Sequence, residues 1–137
     1  MPAQYYRDPE DLENYLENSN WLADINNERD VKNESYREHL GSLEKFWLYK
    51  FSEDVTVVQK ESEWFDEVVE KDDNKTTIKL TDRSLYKEDW IGLRELDEKG
   101  ALDFRIAEGP HMKITDEDLF DVFEMMYGKQ DTAKVDL

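Results

Sequence analysis

The chain has 137 residues, of which 38% are hydrophobic, 12% aromatic and 39% charged, and its formal net charge is −17. That length suits one small domain or part of a larger one, and the aromatic load opposes disorder because large rings offset chain entropy when buried. The acidity argues against binding to phosphate backbones or anionic lipid, the absence of cysteine excludes disulfides, zinc-thiolate sites and a cysteine nucleophile, and no run of about 18 apolar residues is present to span a membrane.

The opening stretch MPAQYYRDPEDLE lacks the basic-then-apolar pattern of a signal peptide, so the sequence as written implies no route into the secretory pathway. Residues 1–30 read as polar helical pieces. Leu12, Tyr15 and Leu16 share one helical face, with Pro9 suited to a first helical turn. Trp21, Leu22 and Ile25 follow at helix-like spacing. Asn33 is suited to cap a helix running to Leu43, with Tyr36, Leu40 and Leu43 inward. FWLYKF, Phe46 to Phe51, is short and nearly continuously apolar, the pattern of a strand buried on both faces. SEWFDEVV and TTIKL flank EKDDNK and read as a hairpin or a looser excursion. EDWIGLRELDEKG places Trp90, Leu93 and Leu96 on one helical face, with Gly100 as the stop. LDFRIA, Leu102 to Ala107, is a second strand, and Thr115 opens a last helix carrying Leu119, Phe120, Phe123 and Met126. The tail at 128–137 is polar and is expected to be disordered.

Helices feeding two short apolar strands indicate an α/β sheet. Two strands alone make a poor sheet, so residues 1–127 are expected to be one end of a larger α/β domain, with strand edges open to a missing partner or to self-association. If the strands lie side by side and parallel, their carboxyl ends share one edge, where α/β sheets gather ligands and catalytic groups.

Asp54 follows the first strand and His111 the second. An acid and then a histidine in that order match the second half of the α/β-hydrolase triad, in which the acid accepts the imidazole N–H and fixes the tautomer of the base. Taken singly, Asp54 is one of 35 acidic residues and a loop histidine is commonly a packing residue. His39, in YREHL, reads as a helix-surface or packing residue. The nucleophile of such a triad sits in G-x-S-x-G, and none of the glycines at 41, 92, 100, 109 and 128 has a serine two positions later. No Gly-rich oxyanion loop is present either. DDNK and TDEDL cluster acids without the spacing of a calcium loop, and helix capping accounts for TDED. Neither a metal nor another cofactor is therefore implied. Asn33-Glu34-Ser35 and Asn74-Lys75-Thr76 are N-glycosylation sequons.

Several blocks carry a resemblance: YYRDPEDLENY, WLADINNERDVKNESYREHL, SEWF, LYKEDWIGLRELDEKGAL and AEGPHMKI. They resemble the C-terminal portion of lysosomal palmitoyl-protein thioesterases, from about Ala3 to about Tyr127. The resemblance implies a C-terminal fragment of an α/β-hydrolase fold that removes thioester-linked palmitate from protein cysteines with a Ser-Asp-His triad and no metal. It implies the triad acid at Asp54 in KFSEDVTVV, the base at His111 in EGPHMKI, and a lysosomal or secretory location. The segment before Asn33 resembles the helical insertion that helps form the family's acyl groove, and Asn33 keeps a family sequon. A second sequon, beside the acid, is lost because Glu53 occupies its place.

The family's amino-terminal half, with the signal peptide, the oxyanion hole and the serine, has no counterpart here, so a truncated, split or deliberately partial sequence is expected. Two readings result. In the first, the chain contributes acid and base to a serine supplied elsewhere, with S-palmitoylated proteins or acyl thioesters as substrate, and is inactive alone. In the second, it is a non-catalytic acidic remnant serving as an acyl-chain or protein interaction module.

Overall fold

The computed structural model describes residues 6–71 and 74–128. Helices α1 (Leu12–Asn18), α2 (Leu22–Ile25) and α3 (Glu34–Gly41) come first, followed by strand β1 (Phe46–Phe51). A 3-10 turn at Lys60–Trp64 leads into strands β2 (Glu67–Lys71) and β3 (Asn74–Ile78). Two short helices, α4 (Ser84–Lys87) and α5 (Leu93–Glu98), return the chain to strand β4 (Leu102–Ala107), and α6 (Asp116–Tyr127) closes it.

β1 and β4 pair in parallel over six positions, from Phe46 opposite Leu102 to Phe51 opposite Ala107. A parallel pair needs a long crossover, and here everything from the 3-10 turn to α5 lies inside it. β2 and β3 form a separate antiparallel hairpin within that crossover. Parallel strands linked through helices make this an α/β arrangement.

The core is built on Leu48 of β1, Leu102 of β4, Leu85, Ile91, Leu93 and Leu96. Leu93 and Leu96 lie three apart on α5 and are fully buried, because that face of the helix lies against the sheet and α3. Gly92 starts α5 in the left-handed region, φ +88°, and an added Cβ would lie 2.7 Å from the Arg37 carbonyl oxygen of α3. Only glycine allows both that backbone angle and that approach. Buried Asp89 fastens the same corner, accepting the Arg94 N–H at 2.9 Å and the Arg37 Nε–H at 3.3 Å.

Residues 6–30 attach through polar links. Arg7 donates to Glu28 at 2.6 Å and to Glu67 of β2 at 2.5 Å, while the Tyr15 hydroxyl donates to Glu28 at 2.9 Å. The Asn27 side-chain amide donates to the carbonyls of Asn33 and Trp90.

Several expectations need correction. FWLYKF is not buried on both faces: only Leu48 and Phe51 are fully enclosed. Pro9 precedes the first turn, because the Asp11 carboxylate caps α1 by accepting the Asn14 N–H. Leu12 and Trp21 are exposed. The helix capped by Asn33 stops at Gly41, which leaves Leu43 beyond its end and exposed. Trp90 lies before α5, not on it. SEWF belongs to the 3-10 turn rather than to the hairpin. α6 has the expected Thr115 cap, yet Leu119, Phe120, Phe123 and Met126 stay exposed, as do Phe104 and Ile106 of β4. The polar tail, apart from Gly128, lies outside the described residues.

Gly92→Ala should destabilise the chain by more than about 1 kcal/mol, since the native angle and the Arg37 carbonyl both oppose a Cβ. Leu93→Ala should cost about 2–5 kcal/mol by opening a cavity at a fully enclosed site. Denaturant unfolding monitored by tryptophan fluorescence measures both.

Candidate active site

β1 and β4 end on the same edge, and their pairing continues past the strands. Ser52 N–H donates to the Ala107 carbonyl at 2.9 Å and Glu53 N–H to the Gly109 carbonyl at 3.0 Å. The Ser52 hydroxyl also accepts the Gly109 N–H at 3.0 Å and donates to Glu108 at 2.8 Å. The two exit loops are thereby fixed to each other, and Asp54 and His111 leave from them.

The structure brings these two residues together. His111 Nδ1 lies 2.6 Å from Asp54 Oδ2 although 57 residues separate them. The other Asp54 oxygen, Oδ1, accepts the backbone N–H groups of Thr56 at 2.7 Å and Val57 at 3.0 Å. The Asp54 side chain is fully buried, whereas that of His111 is 36% exposed and sits edge-on to Phe51 at 6.0 Å. Burial pushes the Asp54 pKa up. The Val57 N–H, His111, the Thr56 N–H and Glu63 outweigh burial and hold this carboxyl well below the ordinary carboxylate range. The ionised acid is therefore built in, and an Nδ1–H faces it. That arrangement fixes the ring and turns Nε2 to other work.

His39 is exposed in the last turn of α3. Asn33 is an exposed helix cap whose side-chain oxygen accepts the Ser35 N–H at 3.1 Å, and Asn74 is exposed at the start of β3. Of the acids of TDED, Asp118 forms a capping box with Thr115, and Asp116 and Glu117 sit with it in the first turn of α6. Asp72 and Asp73 of DDNK lie outside the described residues.

Glu63 was missed by sequence reasoning. Its Oε2 accepts the Phe51 N–H at 3.0 Å, and it offers an oxygen within 4.8 Å of Asp54 and His111 ligand atoms. Burial pushes its pKa up. The Asp54 carboxylate adds to that rise, while the Phe51 N–H and His111 pull the other way. Nothing in its spacing, nine residues after Asp54, distinguishes it among the chain's acids. The three side chains do not form a metal cage. A 2.6 Å contact between His111 and Asp54 is a hydrogen-bond distance, and the second Asp54 oxygen already serves two N–H groups.

The Thr56–Val57 segment that binds Asp54 also lines a cavity of about 920 Å³. α2 and the residues before α1 line it too, and Leu22, Ile25, Val57, Val58, Phe65 and Val68 give it an apolar lining. Arg7 and Arg83 are among its charged lining residues.

A parallel strand pair linked through helices, with an acid and a histidine joined beyond its carboxyl edge, marks this chain as part of an α/β fold. The sequence profile described as palmitoyl protein thioesterase matches residues 1–111, and the chain belongs to that family. It is 42% identical over 114 residues to palmitoyl-protein thioesterase 1 of Caenorhabditis elegans, covering 83% of this chain and 38% of the relative. It is 40% identical over 109 residues to palmitoyl-protein thioesterase 3 of Dictyostelium discoideum, covering 80% of this chain and 37% of the relative. Lysosomal thioesterase PPT2-B of Xenopus laevis is 32% identical over 99 residues, covering 72% of this chain and 33% of the relative. The chain thus spans less than two fifths of these relatives.

The lowered Asp54 pKa has a signed consequence. The folded chain binds a proton at Asp54 less readily than the unfolded chain does. The stability this contributes is complete above the ordinary carboxylate value of about 4 and is lost as pH falls through the lowered native value. Glu63 works in the opposite sense: its contribution is present below the ordinary value and lost as pH rises through the raised one. Asp54→Asn should therefore flatten the acid side of the stability–pH curve. Urea unfolding across the acid range measures it, and a slope equal to that of the wild type would contradict the assignment.

Proposed function

We propose that this chain supplies the acid and the base of a palmitoyl-protein thioesterase whose serine comes from sequence beyond these 137 residues. The hydrogen bond of 2.6 Å between His111 and Asp54 carries this reading. With Nδ1–H given to the acid, Nε2 takes the proton as the serine oxygen bonds to the acyl carbonyl carbon. The intermediate collapses, the C–S bond breaks, and the imidazolium returns its proton to the departing cysteine sulfur. Water then repeats the sequence on the acyl-serine and releases the fatty acid. Asp54 balances the imidazolium charge in both halves without taking a proton itself. No metal or cofactor is needed for a reaction so written.

The apolar cavity supports a long acyl chain as the group removed, because the loop that binds Asp54 is also one of its walls. S-palmitoylated proteins or related acyl thioesters are the matching substrates. The exposed apolar residues of β4 and α6 are the surface on which the remaining fold would pack, and self-association would cover them in its absence. A lysosomal or secretory setting follows the name of the Xenopus relative, and the exposed sequons at Asn33 and Asn74 suit it. The rival reading, a non-catalytic acidic module, gives no use to a buried carboxylate held ionised beside a histidine. Such a pair is costly to desolvate.

The test is release of palmitate from a palmitoyl thioester by the chain joined to a serine-bearing amino-terminal half. Asp54→Asn should lower kcat/KM by roughly 10⁴-fold and His111→Ala by roughly 10⁶-fold, and the 137-residue chain alone should release none. Activity that survives His111→Ala would overturn the proposal.

A further inference from the structure

We propose that Glu63 is a positioning residue for the Asp54–His111 pair, holding the acid through a hydrogen bond that the Glu63 carboxyl itself donates. The inference rests on the reading of Asp54 and His111 as acid and base.

The 3-10 turn that carries Glu63 is bracketed by Gln59 at φ 66° and Phe65 at φ 60°, both left-handed and neither a glycine. Non-glycine residues hold such angles only where surrounding structure over-determines them. Here the next residue does so. Trp64 Nε1–H reaches the Leu48 carbonyl at 3.0 Å and the Arg105 carbonyl at 3.2 Å, touching both strands of the parallel pair at once. Lys50 lies 3.6 Å from the centre of the same ring, and Phe104 meets it edge-on at 5.8 Å. A strained turn pinned to both strands delivers Glu63 to their carboxyl edge.

There its carboxyl has two tasks. One oxygen accepts the Phe51 N–H at 3.0 Å, on the last residue of β1. The carboxyl also offers an oxygen within 4.8 Å of ligand atoms of Asp54 and His111, and two carboxylates sharing a partly buried site resist ionising together. Asp54 has the stronger claim to its charge, because it alone binds two backbone N–H groups and the imidazole. A proton shared between the two carboxyls therefore sits on Glu63, which becomes the donor. Other charges near the turn are committed elsewhere. Lys60 donates to the Ser52 carbonyl, Lys50 covers Trp64, Glu67 of β2 is held by Arg7 and Arg83, and Glu108 receives the Ser52 hydroxyl. Asp54 and His111 are the groups that act on Glu63.

Carbon-13 NMR of the Glu63 side-chain carboxyl in the 137-residue chain tests this directly. Expected is a titration above the ordinary glutamate range in the wild type and a downward shift in Asp54→Asn, which removes the charged acceptor. Identical titration in both would overturn the proposal, since a merely structural glutamate does not sense Asp54. In the assembled enzyme, Glu63→Gln keeps a donor and an acceptor but cannot ionise. Its pH–rate profile should lose the inflection that belongs to Glu63, and a profile superimposable on the wild type would also overturn the proposal. Failure of the underlying acid–base reading would appear separately, as activity that survives His111→Ala whatever Glu63 does.

Discussion

Two parallel strands cannot be joined by a turn, and this molecule is organised around that restriction. β1 and β4 lie side by side only because the intervening chain makes a full crossover, and their carboxyl ends then fall on one edge. The hydrogen bonds that extend the ladder through Ser52, Glu53 and Gly109 carry its register into the two exit loops. Asp54 and His111 inherit their proximity from this register. The same crossover supplies Trp64, whose single N–H touches both strands, so the insertion also clamps the pair it separates.

A chain this acidic must still place some carboxylates inside, and each buried one is met by donors. Asp66 accepts the Leu80 N–H and the Lys79 ammonium, Asp89 serves Arg94 and Arg37, and Asp54 serves Thr56, Val57 and His111. Ionised acids can be enclosed at acceptable cost only with that degree of satisfaction. At the site the principle divides two neighbours. Asp54 has enough donors to remain charged, Glu63 has fewer, and their proton affinities move apart.

The strands, their parallel pairing and the acid–histidine order were legible in the sequence because hydrophobic runs and chain order are local signals. FWLYKF and LDFRIA stand out in a polar chain, and Asp54 and His111 follow them directly. Asn33 and Thr115 were legible as caps for the same reason. Burial was read less well. The periodicity of α6 and the continuity of FWLYKF imply covered faces, but a pattern reports what a segment is suited to meet, not what this chain brings to it. Glu63 was illegible for a different reason. Its place depends on two left-handed residues that are not glycine and on a tryptophan N–H spanning two strands. These are tertiary effects with no local signature.

The 57-residue separation between Asp54 and His111 also bears on how the molecule acquires its site. Contacts that distant in sequence are reached late, because the loop must be closed before the pairing rewards it. The hairpin and the short helices can form from near neighbours, whereas the acid and the base meet only when β4 docks on β1. During synthesis, β1 waits unpaired while the whole crossover emerges, its aromatic residues open to other chains. Folding errors in this chain should therefore present as aggregation before β4 arrives, rather than as a folded molecule with a damaged site.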